Sequence, residues 1–308
     1  MSEALELWEK PSAQEISMLL GWRQWADAGS ISSGLPAYLA KQLGAKQIGR
    51  IRPDGFYLFQ FPGTHDLVRP VIRFKQGYPE ALETPQNEIF YAGNENQGLV
   101  FLIGDEPHMD IEGYIGAILQ SVRTLGVKRM VTFGGVYGEL PYDKERMVSC
   151  IYSQPGMREQ VKDLAVNLSD YQGGASIGSY LCRRAGEQGI DCFGFYAFVP
   201  TYDFSGITEV SNAVRIENDF MAWLGVMRRV NYLLKINIDL SDLEQKSQHL
   251  LQVVDDKMEE LDKDSPQLGV RDYLRRISEE FTEVPFDPLS DVWEQELRRL
   301  FDKFDSDD

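Results

Sequence analysis

The strongest indication of the fold is the run Leu99-Val100-Phe101-Leu102-Ile103, which is followed by Gly104-Asp105. Five apolar residues in a row are typical of a strand that is buried on both faces of a sheet. A helical pattern over residues 111–125 comes next, with apolar side chains three or four positions apart. A buried strand followed by such a helix predicts an α/β fold with a mostly parallel, twisted sheet flanked by helices.

The same alternation of strands and helices continues on both sides of this stretch. We predict strands at residues 16–22, 47–51, 57–61, 71–74, 130–133 and 193–198, and helices at residues 33–43 and 177–189. Arg52-Pro53-Asp54-Gly55 supplies turn residues between two of the strands, and Gly134-Gly135 is expected to end another. The pattern therefore predicts an α/β core domain over residues 1–205.

The C-terminal part of the chain has a different character. Apolar residues recur at helical spacing over residues 213–234, which predicts a first helix. Ser241-Asp242-Leu243-Glu244 fits a capping box at the start of a second helix, and further stripes predict helices over residues 270–281 and 293–304. Residues 206–308 hold 24 acidic and 13 basic side chains, a net charge of −11. We predict an acidic, all-helical C-terminal region over these residues.

The apolar stripes of this region have two interpretations. They pack against the chain's own sheet or on one another, or part of them forms an interface with another subunit or a partner protein. The candidate interface residues are Phe220, Trp223, Met227 and Trp293. Left uncovered, an apolar patch of that size would exceed what soluble monomers usually expose, so the second interpretation predicts self-association or partner binding.

Composition and charge restrict the class of protein. Of the 308 residues 43% are apolar and 26% charged, which is ordinary for a globular protein. The net charge of −17 repels phosphate backbones and anionic lipids, so we expect no nucleic acid and no membrane as partner. The first residues do not resemble a secretory signal, so we expect a cytoplasmic protein. Cys150, Cys182 and Cys192 are expected to be reduced thiols in the core.

Four loops place glycine and polar residues between a strand and a helix. In an open α/β sheet such loops gather at the carboxyl edge of the strands, where ligands bind. The glycines could equally serve only to make tight turns. The candidate residues of a ligand-binding or functional cleft are Arg23, Asp27, Gly29, Gly104, Asp105, Glu106, His108, Gly134, Gly135, Gly174 and Ser176.

Carboxylates and an imidazole lie together at Asp105, Glu106, His108 and Asp110. Such a cluster could transfer protons or bind a divalent metal. The spacing matches no specific pattern of metal ligands, and Asp105 or Asp110 could instead cap the helix that follows. We therefore predict no metal at this cluster.

Gly174-Ala175-Ser176-Ile177-Gly178 has the spacing of a serine-hydrolase elbow. The segment before it is a poor strand, and the only later histidine, His249, lies inside a predicted helix. We therefore expect Ser176 to be an ordinary helix cap. The sequence contains no glycine-rich nucleotide loop, so we predict no catalytic residue and no cofactor.

Several short motifs together resemble those of a known family. They are Gly21-Trp22 with Asp27-Ala28-Gly29, Gly104-Asp105-Glu106-Pro107, Thr132-Phe133-Gly134-Gly135 with Pro141, Gly174-Ala175-Ser176, and Val199-Pro200-Thr201-Tyr202. In order and spacing they resemble the proteasome assembly chaperone 2 family, in its bacterial and archaeal members with an added helical C-terminal region. The resemblance implies an α/β sandwich like that of nucleoside phosphorylases and peptidyl-hydrolase relatives. It also implies a homo-oligomer that assembles or binds other proteins, without an established catalytic reaction.

Two functions are compatible with these observations. The first is a non-enzymatic protein-binding or assembly-chaperone-like protein that acts as a homo-oligomer with a protein partner. The alternative is an enzyme or small-ligand-binding protein on a phosphorylase-like fold, with a site at the carboxyl ends of the strands. A phosphate site would need basic groups, whereas these loops offer Arg23 against several carboxylates. A real pocket in the loops would favour the alternative.

Overall fold

The computed structural model of the chain describes residues 4–60, 69–203 and 213–286. The strands are β1 (Leu5–Leu7), β2 (Glu15–Arg23), β3 (Lys46–Ile51), β4 (Val71–Lys75), β5 (Tyr78–Glu83), β6 (Asn87–Gly93), β7 (Gln97–Asp105), β8 (Arg129–Gly138), β9 (Val148–Tyr152), β10 (Asn167–Leu168), β11 (Asp191–Asp203) and β12 (Ala213–Arg215). The helices are α1 (Gly34–Gln42), α2 (Ile111–Leu125), α3 (Arg158–Val161), α4 (Ile177–Glu187), α5 (Phe220–Leu234), α6 (Ser241–Asp264) and α7 (Val270–Glu280).

Ten of these strands form one sheet, in the order β1-β3-β6-β7-β2-β8-β11-β9-β10, with β12 paired to β11 alone. The four central strands, β7, β2, β8 and β11, are parallel to one another. Antiparallel pairs extend the sheet outward from β7 and from β11. The predicted α/β class with a mostly parallel sheet flanked by helices is confirmed, and the likeness to nucleoside phosphorylases stays a prediction.

Apolar runs in the central strands bury side chains on both faces of the sheet, as their composition predicts. Leu19, Phe101 and Val131 belong to the apolar cluster that contains α1 and α5 to α7. Their neighbours Leu20 and Leu102 belong to a second cluster, on the face covered by α2 and α4. This alternation requires apolar residues at successive positions, because side chains along a strand point to opposite faces.

Helix α2 occupies the residues predicted for it, and its ends follow from the sequence. The Asp110 carboxylate accepts a hydrogen bond of 3.1 Å from the Gly113 amide at the start of the helix. Gly126, with φ of 69°, ends the helix in the left-handed conformation. Asp110 is therefore the helix cap that the sequence allowed.

Three predicted strand and helix boundaries are wrong. Residues 57–60 form no strand, and residue 61 lies outside the described residues. Gly134-Gly135 does not end its strand, because β8 continues to Gly138 in register with β11. The proposed capping box is absent: Leu240 occupies the cap position of α6, and the amide of Ser241 donates to the Asp239 carboxylate instead. The strands β1, β6 and β9 were not predicted from the sequence.

The C-terminal helices cover one face of the sheet. The first helix begins at Phe220 and not at Ala213, because Ala213–Arg215 pairs with β11 as a short strand. Pro266 and Gly269 lie between α6 and α7, and the separate helix predicted over residues 270–281 is present as α7. The helix predicted over residues 293–304 lies outside the described residues, and the division of the chain after residue 205 stays a prediction.

Residues proposed for an interface on α5 are part of the chain's own core. Trp223 and Met227 are 3% and 0% exposed. The ring of Phe220 packs edge-on against Trp223 with ring centres 5.0 Å apart, and the Trp223 indole donates a 2.9 Å hydrogen bond to the carbonyl of Gly29. The sheet and the loop after β2 cover these side chains, which agrees with the first of the two interpretations, and an interface formed by them stays a prediction. Trp293 lies outside the described residues.

A hairpin of β4 and β5 stands apart from the main sheet. Its two-residue turn is Gln76-Gly77, and both residues have positive φ, of 50° and 84°. That combination is the type I′ turn, whose twist suits a two-residue hairpin. All its side chains except the half-buried Ala81 are exposed. The sequence predicted the first strand only.

Two further features of the fold concern the cysteine side chains and the hydropathy of the helices. Cys150, Cys182 and Cys192 are free and buried, which confirms the prediction of unpaired core thiols. No helix among the described residues is long and apolar enough to cross a membrane.

A candidate functional cleft at the carboxyl edge

A cleft of about 730 Å³ lies at the carboxyl edge of the central strands. Its wall is formed by the loop after β2, the ends of β8 and β11, part of β9, and the segment that leads into α4. Asp27, Gly135, Gly174 and Ser176, from three of the four predicted loops, line it. The rule that such loops meet at one edge therefore holds for these residues.

The loop after β2 has an unusual backbone. Three of its residues other than glycine, Gln24, Ala26 and Ser30, have positive φ, of 92°, 53° and 50°, and Gly29 has φ of 62°. Left-handed backbone at residues with a side chain is strained, and strain of this kind gathers at functional sites. The surrounding structure has to hold such a loop in place.

Gly135 provides much of that support. Its amide donates a 2.7 Å hydrogen bond to the carbonyl of Ala26, and it forms an isolated parallel bridge with Asp27. A Cβ atom at this position would lie 2.0 Å from the carbonyl oxygen of Ala28. Only glycine lets the loop approach β8 so closely, so the loop conformation depends on Gly135. Gly134, one residue earlier, lies against the ring of Tyr196.

Asp27 directs its carboxylate to the start of α1. The carboxylate accepts hydrogen bonds from the Ser33 amide, at 2.9 Å, and from the Ser33 hydroxyl, at 2.6 Å. Burial raises the pKa of Asp27, and the hydrogen bonds from Ser33 oppose this effect. Asp27 therefore serves first to fix the loop, although it also lines the cleft.

Ser176 caps α4 and is not placed as a nucleophile. Its hydroxyl accepts from the Ser179 amide at 3.2 Å and lies 3.0 Å from the hydroxyl of Tyr196. Burial raises the pKa of Tyr196 to about 12, so this phenol is a poor base at neutral pH.

His108 forms its contacts away from Ser176: its Nδ1 accepts from the Leu58 amide at 3.1 Å, and its ring packs against Tyr57.

Glu106 occupies the N-terminus of α4. Its carboxylate accepts a 2.8 Å hydrogen bond from the amide of Ile177, the first residue of the helix. Free amides at a helix start are the usual site for a phosphate or carboxylate ligand. Because the protein's own carboxylate already holds this position, the helix is not an open anion site. Burial raises the pKa of Glu106.

Arg23 and Asp105 pair with each other beside the cleft. The guanidinium donates to both carboxylate oxygens, at 2.6 and 2.8 Å, and Asp105 also accepts from the Gln86 amide at 2.8 Å. This pairing raises the pKa of Arg23, chiefly through the hydrogen bond to Asp105. The pair joins the ends of β2 and β7 to the start of β6, so both side chains have a structural role within the chain.

The remaining predicted residues serve the framework. Gly104 lies against Asn87, and Gly29 contacts Asp219 at the start of α5. Among the described residues no group of three or more His, Cys, Asp or Glu side chains is arranged to hold a metal ion. The predicted residues thus fall into a cleft group and a supporting group.

The rim of the cleft carries exposed aromatic residues that were not among the predicted site residues. Trp25, Tyr137 and Tyr171 line the cleft and are 60%, 42% and 71% exposed, and Val136 beside them is also exposed. The described lining contains one carboxylate, that of Asp27, and no Lys, Arg or His. A cation does lie just outside, where the guanidinium of Arg215 sits 5.7 Å from the ring centre of Tyr137. The described lining of the cleft thus favours apolar groups over anions.

Comparison with known proteins adds a family and a fold. A sequence model of the PAC2 family matches residues 22–258 of the chain. No curated protein matches the chain. Among solved structures, a PAC2 family protein from Streptomyces avermitilis is 22% identical with a TM-score of 0.65, and the match covers 79% of this chain and 95% of that chain.

Two further solved structures are similar in fold. A proteasome-assembly chaperone homologue from Mycobacterium tuberculosis is 22% identical with a TM-score of 0.66, covering 78% of this chain and 94% of that chain. PbaB, an archaeal proteasome activator from Pyrococcus furiosus, is 18% identical with a TM-score of 0.58, covering 83% of this chain and 99% of that chain.

Proposed function

Because this chain belongs to the PAC2 family, we propose that it is a non-enzymatic, assembly-chaperone-like protein that binds a protein partner and acts as a homo-oligomer in the cytoplasm. Its similarity in fold to a proteasome-assembly chaperone homologue and to an archaeal proteasome activator supports this role. Proteasome components are therefore the first partners to test.

The observation that carries the proposal is the distribution of exposed apolar side chains. Nine of the 17 large apolar side chains exposed by the described residues lie either at the rim of the cleft or on the β4–β5 hairpin. Exposed aromatic groups that cluster in this way mark protein-binding surfaces. The described helices α5 to α7 bury most of their apolar side chains against the chain itself, so within the described residues they contribute less to this surface.

The polar side chains near the cleft form hydrogen bonds and an ion pair within the chain, which supports a non-enzymatic role. Arg23 pairs with Asp105, Glu106 holds the start of α4, and Ser176 caps the same helix. General acid–base or nucleophilic catalysis needs a group that can reach a substrate and a partner that activates it. Each of these side chains instead satisfies a neighbouring part of the chain.

The cleft itself favours a second candidate, a small-ligand-binding protein. A volume of about 730 Å³ lies within the range of ordinary ligand sites, roughly 300–1,000 Å³. Since the described lining has no cation, such a ligand would be neutral or cationic and largely apolar.

A non-enzymatic role predicts that assays for esterase, nucleosidase, phosphorylase and ATP-dependent ligase activity stay at background.

Affinity purification from the native host, read by mass spectrometry, tests the proposed function. We expect wild type to retain a defined protein partner and Trp25→Ser to lose it. Trp8→Ser is the matched control, because Trp8 is 56% exposed but lies away from the cleft, where its indole donates to Gln47. A set of retained proteins that is the same for wild type and Trp25→Ser would contradict a partner site at the cleft.

A further inference from the structure

The rim of the cleft presents three aromatic rings from three separate parts of the fold. Trp25 belongs to the loop after β2, Tyr137 to β8, and Tyr171 to the segment between β10 and α4, and all three are exposed. The face of an aromatic ring carries partial negative charge, so it attracts a cation as well as an apolar group. The rim is therefore able to bind either kind of group.

A cation of the chain itself already lies on one of these rings. The guanidinium of Arg215, on β12, lies 5.7 Å from the ring centre of Tyr137, within the roughly 6 Å over which such contacts are attractive. Arg215 is exposed, so this contact forms at the surface of the protein. Among the described residues no cation lies over the ring of Trp25 or Tyr171. Two of the three rings are thus open to a cation from outside.

Negative charge is present in the cleft as well. Asp27 supplies the carboxylate of the described lining, and its hydrogen bonds come from Ser33, which is neutral. The attraction of Arg23 is the smallest of the effects on the pKa of Asp27, and that guanidinium is already paired with Asp105. Burial raises the pKa of Asp27, and a cation in the cleft would lower it again. A bound cation therefore offsets the cost of burying this carboxylate.

The charge of the whole chain acts in the same direction. A net charge of −17 attracts cationic partners and speeds their approach. Asp170, which precedes Tyr171 at the rim, is exposed and adds to this field. An anionic partner would be repelled both by the field and by the carboxylate in the cleft. The charges therefore favour a cationic partner.

An open strand edge beside the cleft indicates that the bound group belongs to a polypeptide. β10 is the last strand in the order of the sheet, and its outer edge has no partner strand among the described residues. β10 leads directly into Ser169, which lines the cleft. Extended peptides bind to such edges through their backbone, which a small organic cation lacks. Val136 and Leu168, which are 40% and 39% exposed, offer apolar contacts to residues that flank the cation.

We propose that the cleft binds an extended segment of the partner protein in which an arginine is flanked by apolar residues, with its guanidinium held by the aromatic rim and Asp27. The inference rests on the protein-binding role of the proposed function and names the chemistry by which the partner is recognised. Arginine fits better than lysine, because its planar guanidinium stacks on aromatic rings. Arg215 acts as an internal competitor, because its guanidinium covers the ring of Tyr137.

Isothermal titration calorimetry with synthetic peptides tests the proposal. The probe is a pentapeptide with a central arginine, a valine on each side and a serine at each end, acetylated and amidated so that its termini are uncharged. One control peptide carries citrulline, a neutral analogue of arginine with nearly the same shape, and another carries glutamate. We expect the arginine peptide to bind about tenfold more tightly than the citrulline peptide, and the glutamate peptide to bind most weakly.

Variants of the rim separate the effect of an aromatic ring from that of its apolar bulk. Tyr171→Leu should weaken binding of the arginine peptide about fivefold, whereas Tyr171→Phe keeps the ring and should bind like wild type. Arg215→Gln should tighten binding about two- to fivefold, because it uncovers the ring of Tyr137 and removes a repelling charge. Trp8→Leu, at an exposed aromatic residue away from the cleft, should change nothing. The substituted side chains are all exposed, so circular dichroism should show unchanged melting.

The outcomes distinguish this inference from the proposed function. An arginine peptide that binds no more tightly than the citrulline peptide, or weaker binding by Arg215→Gln, would overturn a cation site in the cleft. Equal affinity for butylguanidinium, which has the cation without a peptide backbone, would replace the partner segment by a small ligand. In each case the proposed function stands if wild type still retains a protein partner in the affinity purification. A wild type that retains no partner would remove the proposed function, even where the arginine peptide binds.

Discussion

A buried ion pair between Arg146 and Asp219 holds α5 to the rest of the chain, and its removal should be costly. The Arg146 Nε atom lies 2.7 Å from the Asp219 carboxylate, and the two side chains are 1% and 0% exposed. The same guanidinium donates to the carbonyls of Tyr142 and Lys144, at 2.8 Å each. The other carboxylate oxygen of Asp219 accepts from the Ala222 amide at 3.1 Å and so caps α5.

Asp219→Ala removes both of these interactions. A buried charge that loses its partner costs about 3–5 kcal/mol. Loss of a helix cap adds about 1 kcal/mol. We therefore expect the free energy of unfolding to fall by about 4–6 kcal/mol, a large share of the roughly 5–15 kcal/mol that stabilises a typical domain. Asp219→Asn keeps an acceptor for the cap and should cost less than Asp219→Ala.

Urea unfolding followed by circular dichroism measures these differences. Adding Arg146→Met to Asp219→Asn removes both charges, so the double variant should be more stable than the sum of the two single losses predicts. Glu259→Ala is the control, because Glu259 pairs with Lys263 on the exposed face of α6 and such pairs are worth about 0.3–0.5 kcal/mol. An Asp219→Ala variant within about 1 kcal/mol of wild type would refute the reasoning.

Three further predictions concern the cleft and the organisation of the chain. Gly135→Ala places a Cβ atom 2.0 Å from the Ala28 carbonyl, so the free energy of unfolding measured in urea should fall by about 1–3 kcal/mol. Gly174→Ala is the control and should be nearly neutral, because its Cβ atom would have nothing within 4 Å. Equal effects of the two substitutions would contradict the close approach of the loop to β8. Burial raises the pKa of Glu106, so its carboxyl group stays protonated to a higher pH in the folded chain than in the unfolded chain. The contribution of this group to the free energy of unfolding is therefore lost as pH rises above the ordinary pKa of a Glu side chain, about 4.3. The stability of Glu106→Gln relative to wild type should therefore increase from about pH 4 to about pH 7, and a constant difference would mean that the pKa is not raised. If a protease site is inserted between residues 205 and 206, the two pieces should elute together after cleavage, because α5 is buried against the sheet; pieces that separate would indicate two independent domains.

The central strands and α2 could be predicted because their signals are local. Residues 99–103 are all apolar, as is typical of a short strand that is covered on both faces. In α2 the apolar residues recur at helical spacing over four turns. The strands β6 and β9 mix polar and apolar residues, since many of their side chains are only half-buried, and no apolar run marks them. The β4–β5 hairpin had a usable signal in Gln76-Gly77, a turn pair between two strand-like segments.

The cleft was predictable in position but not in chemistry. That Asp27, Gly135, Gly174 and Ser176 meet follows from the topology of parallel strands. Whether an aromatic side chain is buried or exposed depends on what packs over it, which no local pattern contains. Trp223 was compatible with either an interface or the chain's own core and is buried, whereas Trp25, with no apolar stripe around it, is exposed.

A single carbonyl group, that of Gly29, accepts hydrogen bonds from the Asp219 amide at 3.0 Å and from the Trp223 indole at 2.9 Å. The strained loop after β2 is therefore braced by residues that follow it by about 190 positions. During synthesis on the ribosome the strands around the cleft emerge first, and the brace emerges only after most of the chain has been made. The cleft thus cannot reach its final shape until α5 has been translated, so a nascent chain that stalls earlier would present an incomplete binding surface.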